Sequence, residues 1–416
     1  MFNFTVRPAS LLTAALIAAA LALVSLFFFY GSTFSFKGGA PGQWTDTERQ
    51  TIASLSLTNL KPPADSSNQY TNDEEVVAFG TQLFFDKRLS KDGNVSCATC
   101  HKPERFFSDE LTLAMGRDIG RRNTPSLHGA AYNQWFFWDG RKDSLWSQAL
   151  APLENPAEHD FSRTAITKLI LSNHSYFRTY TKLFGQPAKL NSEELPNEAH
   201  PNGNIQQIKA WKSFSGQQRQ QINQIFANTG KAIAAYVTTL KPLESRFDNY
   251  VQNPQNNTQS NAGLNPDELR GLRLFISKKA GCIDCHSGPL LTNQSFHNIG
   301  TGGKGDSGRA AAISRIQLDP FNCLGEYSNA SEDQCQELRY MQRDRHQLWG
   351  NFKTPSLRNV ANTPPYFHDG RYETLAEVID HYTDTKATET HLPAIELTAQ
   401  DKLDLVAFLK TLSANQ

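Results

Sequence analysis

The chain has 416 residues, and its 41 Lys and Arg are balanced by 41 Asp and Glu. That balance gives no reason to expect nucleic acid or any strongly charged partner. The length suits two or three domains, and the composition is that of a globular protein everywhere except at the N-terminus.

Leu11 to Tyr30 reads LLTAALIAAALALVSLFFFY, 20 residues without a charge, which is the length of a helix that crosses the hydrocarbon core. Arg7 and the N-terminal amine precede it, which keeps the N-terminus in the cytoplasm and exports the chain beyond Tyr30. We expect a membrane anchor over residues 11–30, with a cleaved signal segment as the alternative, although bulky FFFY stands where a cleavage site wants small residues. Either reading places the remainder in the periplasm. Residues 31–71, rich in Gly, Ser, Thr, Asn and Pro, read as a flexible stalk.

Order is expected from Asn72, where NDEEVVAFGTQLFFD combines an Asx-type start, an acidic first turn and apolar positions at helical spacing. Helices are then predicted over 144–150, 165–172, 175–184, 230–251, 266–277, 374–383 and 399–412, with few strand signals. The fold class is mainly α. The polar stretch 185–216 reads as a surface insertion and 252–264 as a linker. The folded part divides into segments 72–251 and 265–416, read as two cytochrome c-like domains. The glycine-rich run 300–308 lacks the strand–helix context of a phosphate loop and is expected to be a plain loop.

Six cysteines punctuate the chain. Cys97, Cys100 and His101 form one C-x-x-C-H motif, and Cys282, Cys285 and His286 form another. This motif attaches a c-type haem: each thiol adds to a vinyl group and the His supplies the proximal nitrogen to iron. Two copies, each complete with its His, argue against a redox dithiol or half of a zinc site. Two covalent haems c are therefore expected. Cys323 and Cys335 have no His at ligand spacing and read as a disulfide in an oxidising compartment, with two buried free thiols as the alternative.

RRNTPSL at 121–127, FFWDGRKDSLWSQALAPLENPAEH at 136–159, FKTPSLRNVANTPPYFHDGRYETLAEVIDHY at 352–382 and the C-terminal LVAFLKTL resemble the bacterial di-haem cytochrome c peroxidase family, within it the MauG-like branch. The resemblance covers most of residues 72–416. It implies that the N-terminal haem is peroxidatic and that Gln148, Pro152 and Glu158 supply its distal pocket. A carboxylate held over iron can take a proton from one peroxide oxygen and return it to the other. Glu154, close by, is given no role. The resemblance also makes Trp138 the relay between the haems. The better-known peroxidases of the family carry a distal His in the loop matching 102–121; none is present here, and Met115 is the only soft candidate. The N-terminal haem is thus expected to be open in the oxidised state.

At the position where those peroxidases carry a Met ligand to the second haem, downstream of Thr363, this sequence has Tyr382, as MauG-like proteins do. A phenolate stabilises oxidised iron where a thioether favours reduced iron. The resemblance further implies one Ca²⁺ between the domains, on Asn123 and the carbonyls of Thr363 and Pro365, oxygen donors that suit this ion. Three functions are compatible with these features, in descending order of support. The first is reduction of H2O2 with electrons from a cytochrome c or a membrane quinol. The second is a MauG-like oxidase whose high-valent di-haem unit modifies Trp or Tyr of a partner protein. The third is a non-catalytic electron-transfer cytochrome, against which the Gln148–Pro152–Glu158 set argues. A homodimer is a further possibility the family allows.

Overall fold

The computed structural model describes residues 41–414 except 64, 188–189, 253–262, 303–304, 384–389, 391 and 393–394. The expected anchor at 11–30 and most of the expected linker at 252–264 lie outside the described residues. Among the described residues no helix is long and apolar enough to cross a membrane. The described residues from Thr45 onward form one compact unit.

The architecture is mainly helical. In chain order the N-terminal half contains α1 (Asp46–Ser54), α2 (Glu74–Phe85), α3 (Cys97–Cys100), α4 (Leu145–Glu154), α5 (Arg163–Ser172), α6 (His174–Phe184), α7 (Ile205–Ser213), α8 (Gly216–Thr238) and α9 (Arg246–Gln252). The C-terminal half contains α10 (Pro266–Phe275), α11 (Cys282–Cys285), α12 (Arg309–Gln317), α13 (Gln336–Arg339), α14 (Leu375–Thr383) and α15 (Ala399–Lys410). Two short strands, β1 (Phe296–His297) and β2 (Phe352–Lys353), pair antiparallel.

Helix α2 starts where Asp73 caps the amides of Glu75 and Val76 at 2.9 and 3.1 Å, with Glu74 and Glu75 favourably placed in the first turn. Its buried face, Val76, Phe79, Gly80, Leu83 and Phe84, follows the helical period and packs on α8. Gly80 sits at the crossing: a Cβ there would lie 1.9 Å from the Ala232 carbonyl oxygen. Helix α4 packs on the same helix, and in the C-terminal half α10 and α14 pack on α15.

Three expectations change. The described residues of 45–71, inside the stretch expected to be a stalk, carry α1 and are pinned to the body. The Leu55 carbonyl accepts from Arg358 Nη2 at 2.7 Å, and Ser67 Oγ accepts from Trp146 Nε1 at 2.8 Å. The helix expected over 230–251 instead begins at Gly216, capped by Ser215, and gives way to a break around Pro242 before α9. The stretch 185–216 is not only a surface insertion. It holds α7, and Leu195, Ala199 and Trp211 join Ile222 in a small core of their own. Cys323 and Cys335 are joined as a disulfide.

The two halves share a repeat finer than the helix order. From 123 to 152 each residue has a counterpart 230 positions later: Thr-Pro-Ser-Leu at 124–127 and 354–357, Asp-Gly-Arg at 139–141 and 369–371. The conformations match. Isolated bridges join Phe136 to Lys142 and Tyr366 to Tyr372, and Phe137 and Phe367 both have positive φ, 65° and 68°. Helix α4 follows the first copy and α14 the second, both beginning at a buried leucine, Leu145 and Leu375.

Candidate active site

Each C-x-x-C-H motif is a single helical turn. In the first, His101 N–H donates to the Cys97 carbonyl at 2.9 Å and His101 Nδ1 lies 3.0 Å from the Phe107 carbonyl oxygen. In the second, His286 N–H donates to the Cys282 carbonyl at 2.8 Å and Nδ1 lies 3.0 Å from the Leu291 carbonyl oxygen. A carbonyl can only accept, so Nδ1 carries the proton and Nε2 keeps its lone pair for a metal. Burial pushes both imidazoles towards the neutral form, His286 down to about 4. All four thiols are free and partly exposed, and burial raises Cys97 and Cys282 to about 12. Paired neutral thiols beside an imidazole with a free Nε2 fit a covalently attached haem at both positions.

Glu158 stands beside the first motif: its charge raises the proton affinity of both Cys97 and Cys100. The loop 102–121 closes over it. Arg117 N–H donates to the Glu158 carbonyl at 3.2 Å, Asp118 N–H to the Ala157 carbonyl at 3.0 Å, and Cys100 Sγ lies 3.4 Å from the Met115 carbonyl oxygen. Gly116 permits this contact, since a Cβ there would fall 2.7 Å from Glu158 Cα. Burial raises the Glu158 pKa, opposed by the hydrogen bond from Asn155 Nδ2 (2.5 Å) and by the Arg141 charge. A half-buried carboxyl whose proton affinity is raised by burial can take a proton from a bound substrate and give it back.

Helix α4 carries the other two candidates. Leu145, Trp146, Ala149, Leu150 and Leu153 are buried in the core, while Gln148 and Pro152 lie four residues apart on the less buried face. Glu154, given no role from sequence, forms a buried ion pair with Arg163 (2.6 Å) and meets His200 Nε2 at 3.1 Å. These partners hold its carboxyl far below the usual range against the cost of burial. Met115 has 52% of its surface exposed, which suits a loop side chain better than a buried ligand.

At the second motif Tyr382 is near enough for Cys282 and Cys285 to add to the burial that raises its phenol pKa. Its neighbour His381 has both ring nitrogens occupied, Nδ1 3.1 Å from the Tyr372 hydroxyl and Nε2 2.7 Å from the Ile299 carbonyl oxygen. Met341 is packed in a core cluster with Trp135 and Ile313. In the repeat, Tyr382 is the counterpart of Pro152, a relation that coarse helix matching misses and the recurring Asp-Gly-Arg could have exposed.

Trp138 lies where the halves meet. Its Nε1–H donates to the Asn123 carbonyl at 3.0 Å, and its own carbonyl accepts from Lys353 N–H at 2.8 Å. Asn123 N–H donates in turn to the His368 carbonyl at 2.9 Å, which ties it to the segment bearing Thr363 and Pro365. Asn123 Nδ2 donates to the Leu111 carbonyl at 2.9 Å, so its Oδ1 is the atom left for a cation. The glycine-rich loop is fastened here too, through Asp306 to Arg122 (2.8 Å) and His368 (3.4 Å).

A family model described as di-haem cytochrome c peroxidase matches residues 74–256. The methylamine utilization protein MauG of Methylorubrum extorquens is 31% identical over 385 residues, covering 90% of this chain and 89% of that protein. Cytochrome c551 peroxidase of Nitrosomonas europaea is 28% identical, covering 82% of this chain and 81% of its own. A solved structure of a MauG-like protein associated with microbial copper homeostasis is 27% identical, superposes with a TM-score of 0.58, and covers 85% of this chain and 93% of that one.

Proposed function

The chain belongs to the di-haem cytochrome c peroxidase family, and on that premise we propose that it reduces H2O2 to water in the periplasm, using Glu158 as the proton-transfer group. It is a haem-dependent oxidoreductase. Two cytochrome c-like domains, 72–251 and 265–416, each hold one haem c, on Cys97, Cys100 and His101 and on Cys282, Cys285 and His286. The haems supply one-electron redox chemistry and the place where peroxide is reduced.

The chain's own residues govern the protons and the access. Glu158 takes the proton of one peroxide oxygen and returns it to the departing oxygen. The overall balance is H2O2 plus two electrons and two protons giving two waters. Gln148 donates a hydrogen bond to the bound peroxide. Pro152 has no side-chain donor or acceptor, so it leaves the first site open. Tyr382, in the same repeat position, places a phenol at the second site and makes that haem the electron-transfer partner. Trp138 relays electrons between the halves with its indole proton held on the Asn123 carbonyl. Donors of the right kind are a cytochrome c or, with an anchor at 11–30, a membrane quinol. Ca²⁺ on Asn123, Thr363 and Pro365 joins the halves, and the assembly is compatible with a homodimer.

The observation that carries this reading is Glu158, half-buried beside the first motif with its proton affinity raised. Glu158→Gln tests it: peroxide reduction should slow while both haems stay attached, and an unchanged rate would remove Glu158 from the mechanism. Tyr382 favours the second reading, a MauG-like oxidase acting on Trp or Tyr of a partner protein, because a phenolate stabilises the oxidised haem that such chemistry needs.

A further inference from the structure

The reciprocal bonds between the halves carry more than a clamp. Asn123 N–H donates to the His368 carbonyl and Lys353 N–H donates to the Trp138 carbonyl. Asn123 and Lys353 hold the same repeat position, and so do Trp138 and His368. The contact is therefore isologous, as in a symmetric dimer: what lies beside Asn123 on one side of the local two-fold has a counterpart beside Lys353 on the other. In the calcium reading Asn123 shares its cation with Thr363. The repeat counterpart of Thr363 is Asn133, and Lys353 Nζ lies 3.4 Å from Asn133 Oδ1.

We propose that Lys353 is a tethered cation, filling from within the chain the position that the other half fills with Ca²⁺. The inference rests on the calcium reading for the identity of the ion at Asn123. A hard cation takes neutral amide and carbonyl oxygens. A lysine ammonium is a compact charge with three donors that seeks the same oxygens. Burial lowers the Lys353 pKa to about 8, which leaves the amine mostly charged at neutral pH. Each half then sets a positive centre against the paired repeat position, the Thr363 carbonyl in the calcium reading and the Asn133 side-chain Oδ1 at Lys353, one centre drawn from solution and one carried on a side chain. A chelator can remove the first and not the second.

Replacing Lys353 by the residue of the other half tests this. Haem-loaded wild type and Lys353→Asn are equilibrated with Ca²⁺, freed of loose ion and analysed for calcium per haem pair. The expected result is one more Ca²⁺ per chain in the variant. A wild type with one and a variant with two support both the proposal and the calcium reading. A wild type with none and a variant with one support the proposal and overturn Ca²⁺ at Asn123. Equal counts in the two proteins overturn the proposal, whatever the number. Lys353→Gln carries the same amide on a longer stem and takes the place of Lys353→Asn if that variant fails to hold its haems.

Discussion

At the first copy of the repeat the helix after Asp-Gly-Arg carries Pro152; at the second copy the matching helix carries Tyr382. Around that position the halves agree: the same one-turn Cys-x-x-Cys-His, the same Nδ1 contact to a backbone carbonyl, the same positive-φ phenylalanine before Asp-Gly-Arg. The proximal sides are alike and the distal sides differ. On the proposed reading, one scaffold used twice provides an open site and a closed one, and the division of labour between reduction of peroxide and delivery of electrons rests on side chains rather than on fold.

Erasing the difference should have the largest effect. Pro152→Tyr puts a phenol at the first site as well. The reaction of the oxidised protein with peroxide, followed by stopped-flow absorbance, should fall beyond the roughly 10²–10⁴-fold that a positioned acid–base group contributes. Loss of fold is not the expected cause, because the change removes a proline from inside a helix.

Glu158→Gln should lose roughly 10²–10⁴-fold in peroxide reduction. Glu154→Ala is its contrast. It leaves Arg163, itself 5% exposed, without its carboxylate and should cost about 3–5 kcal/mol in denaturant unfolding, with the peroxide rate of the folded protein retained.

Tyr382→Met removes the difference from the other side. The midpoint potential of the second haem should rise by a sizeable part of the roughly 0.8 V that axial ligands span, as read by spectroelectrochemistry; an unmoved potential would detach Tyr382 from the iron.

The smallest effect is on pH. Burial raises the Glu158 pKa, so the carboxylate is lost at a higher pH than for an exposed Glu, and kcat/KM for peroxide should fall as pH drops through that raised value. Asn155 stabilises the carboxylate through its 2.5 Å bond, so Asn155→Ala should move this acid limb upward, and a downward shift would contradict the assignment.

What could be read in advance was what is local in the chain. The C-x-x-C-H spacing, the acidic cap of α2 and the Pro266 start of α10 report themselves within a few residues. The onset of α8 did not, because its first turns, GQQRQQINQ, are polar and show no apolar stripe until Ile222. The small core of Leu195, Ala199 and Trp211 was hidden by the polar residues between its members. Glu154 and Glu158 are indistinguishable as letters. Their surroundings separate only when Arg163 and His200 arrive from later in the chain to neutralise one, while the loop bearing Gly116 folds over the other.

The central claim is that the first site is open and the second is held by Tyr382. The most direct measurement mixes fully oxidised, haem-loaded protein with one equivalent of H2O2, without reductant, and monitors the visible absorption. The account predicts an immediate spectral change in the wild type. A protein that stays unchanged until it has been half-reduced would contradict it, since the first site would then be closed by a ligand that reduction must remove.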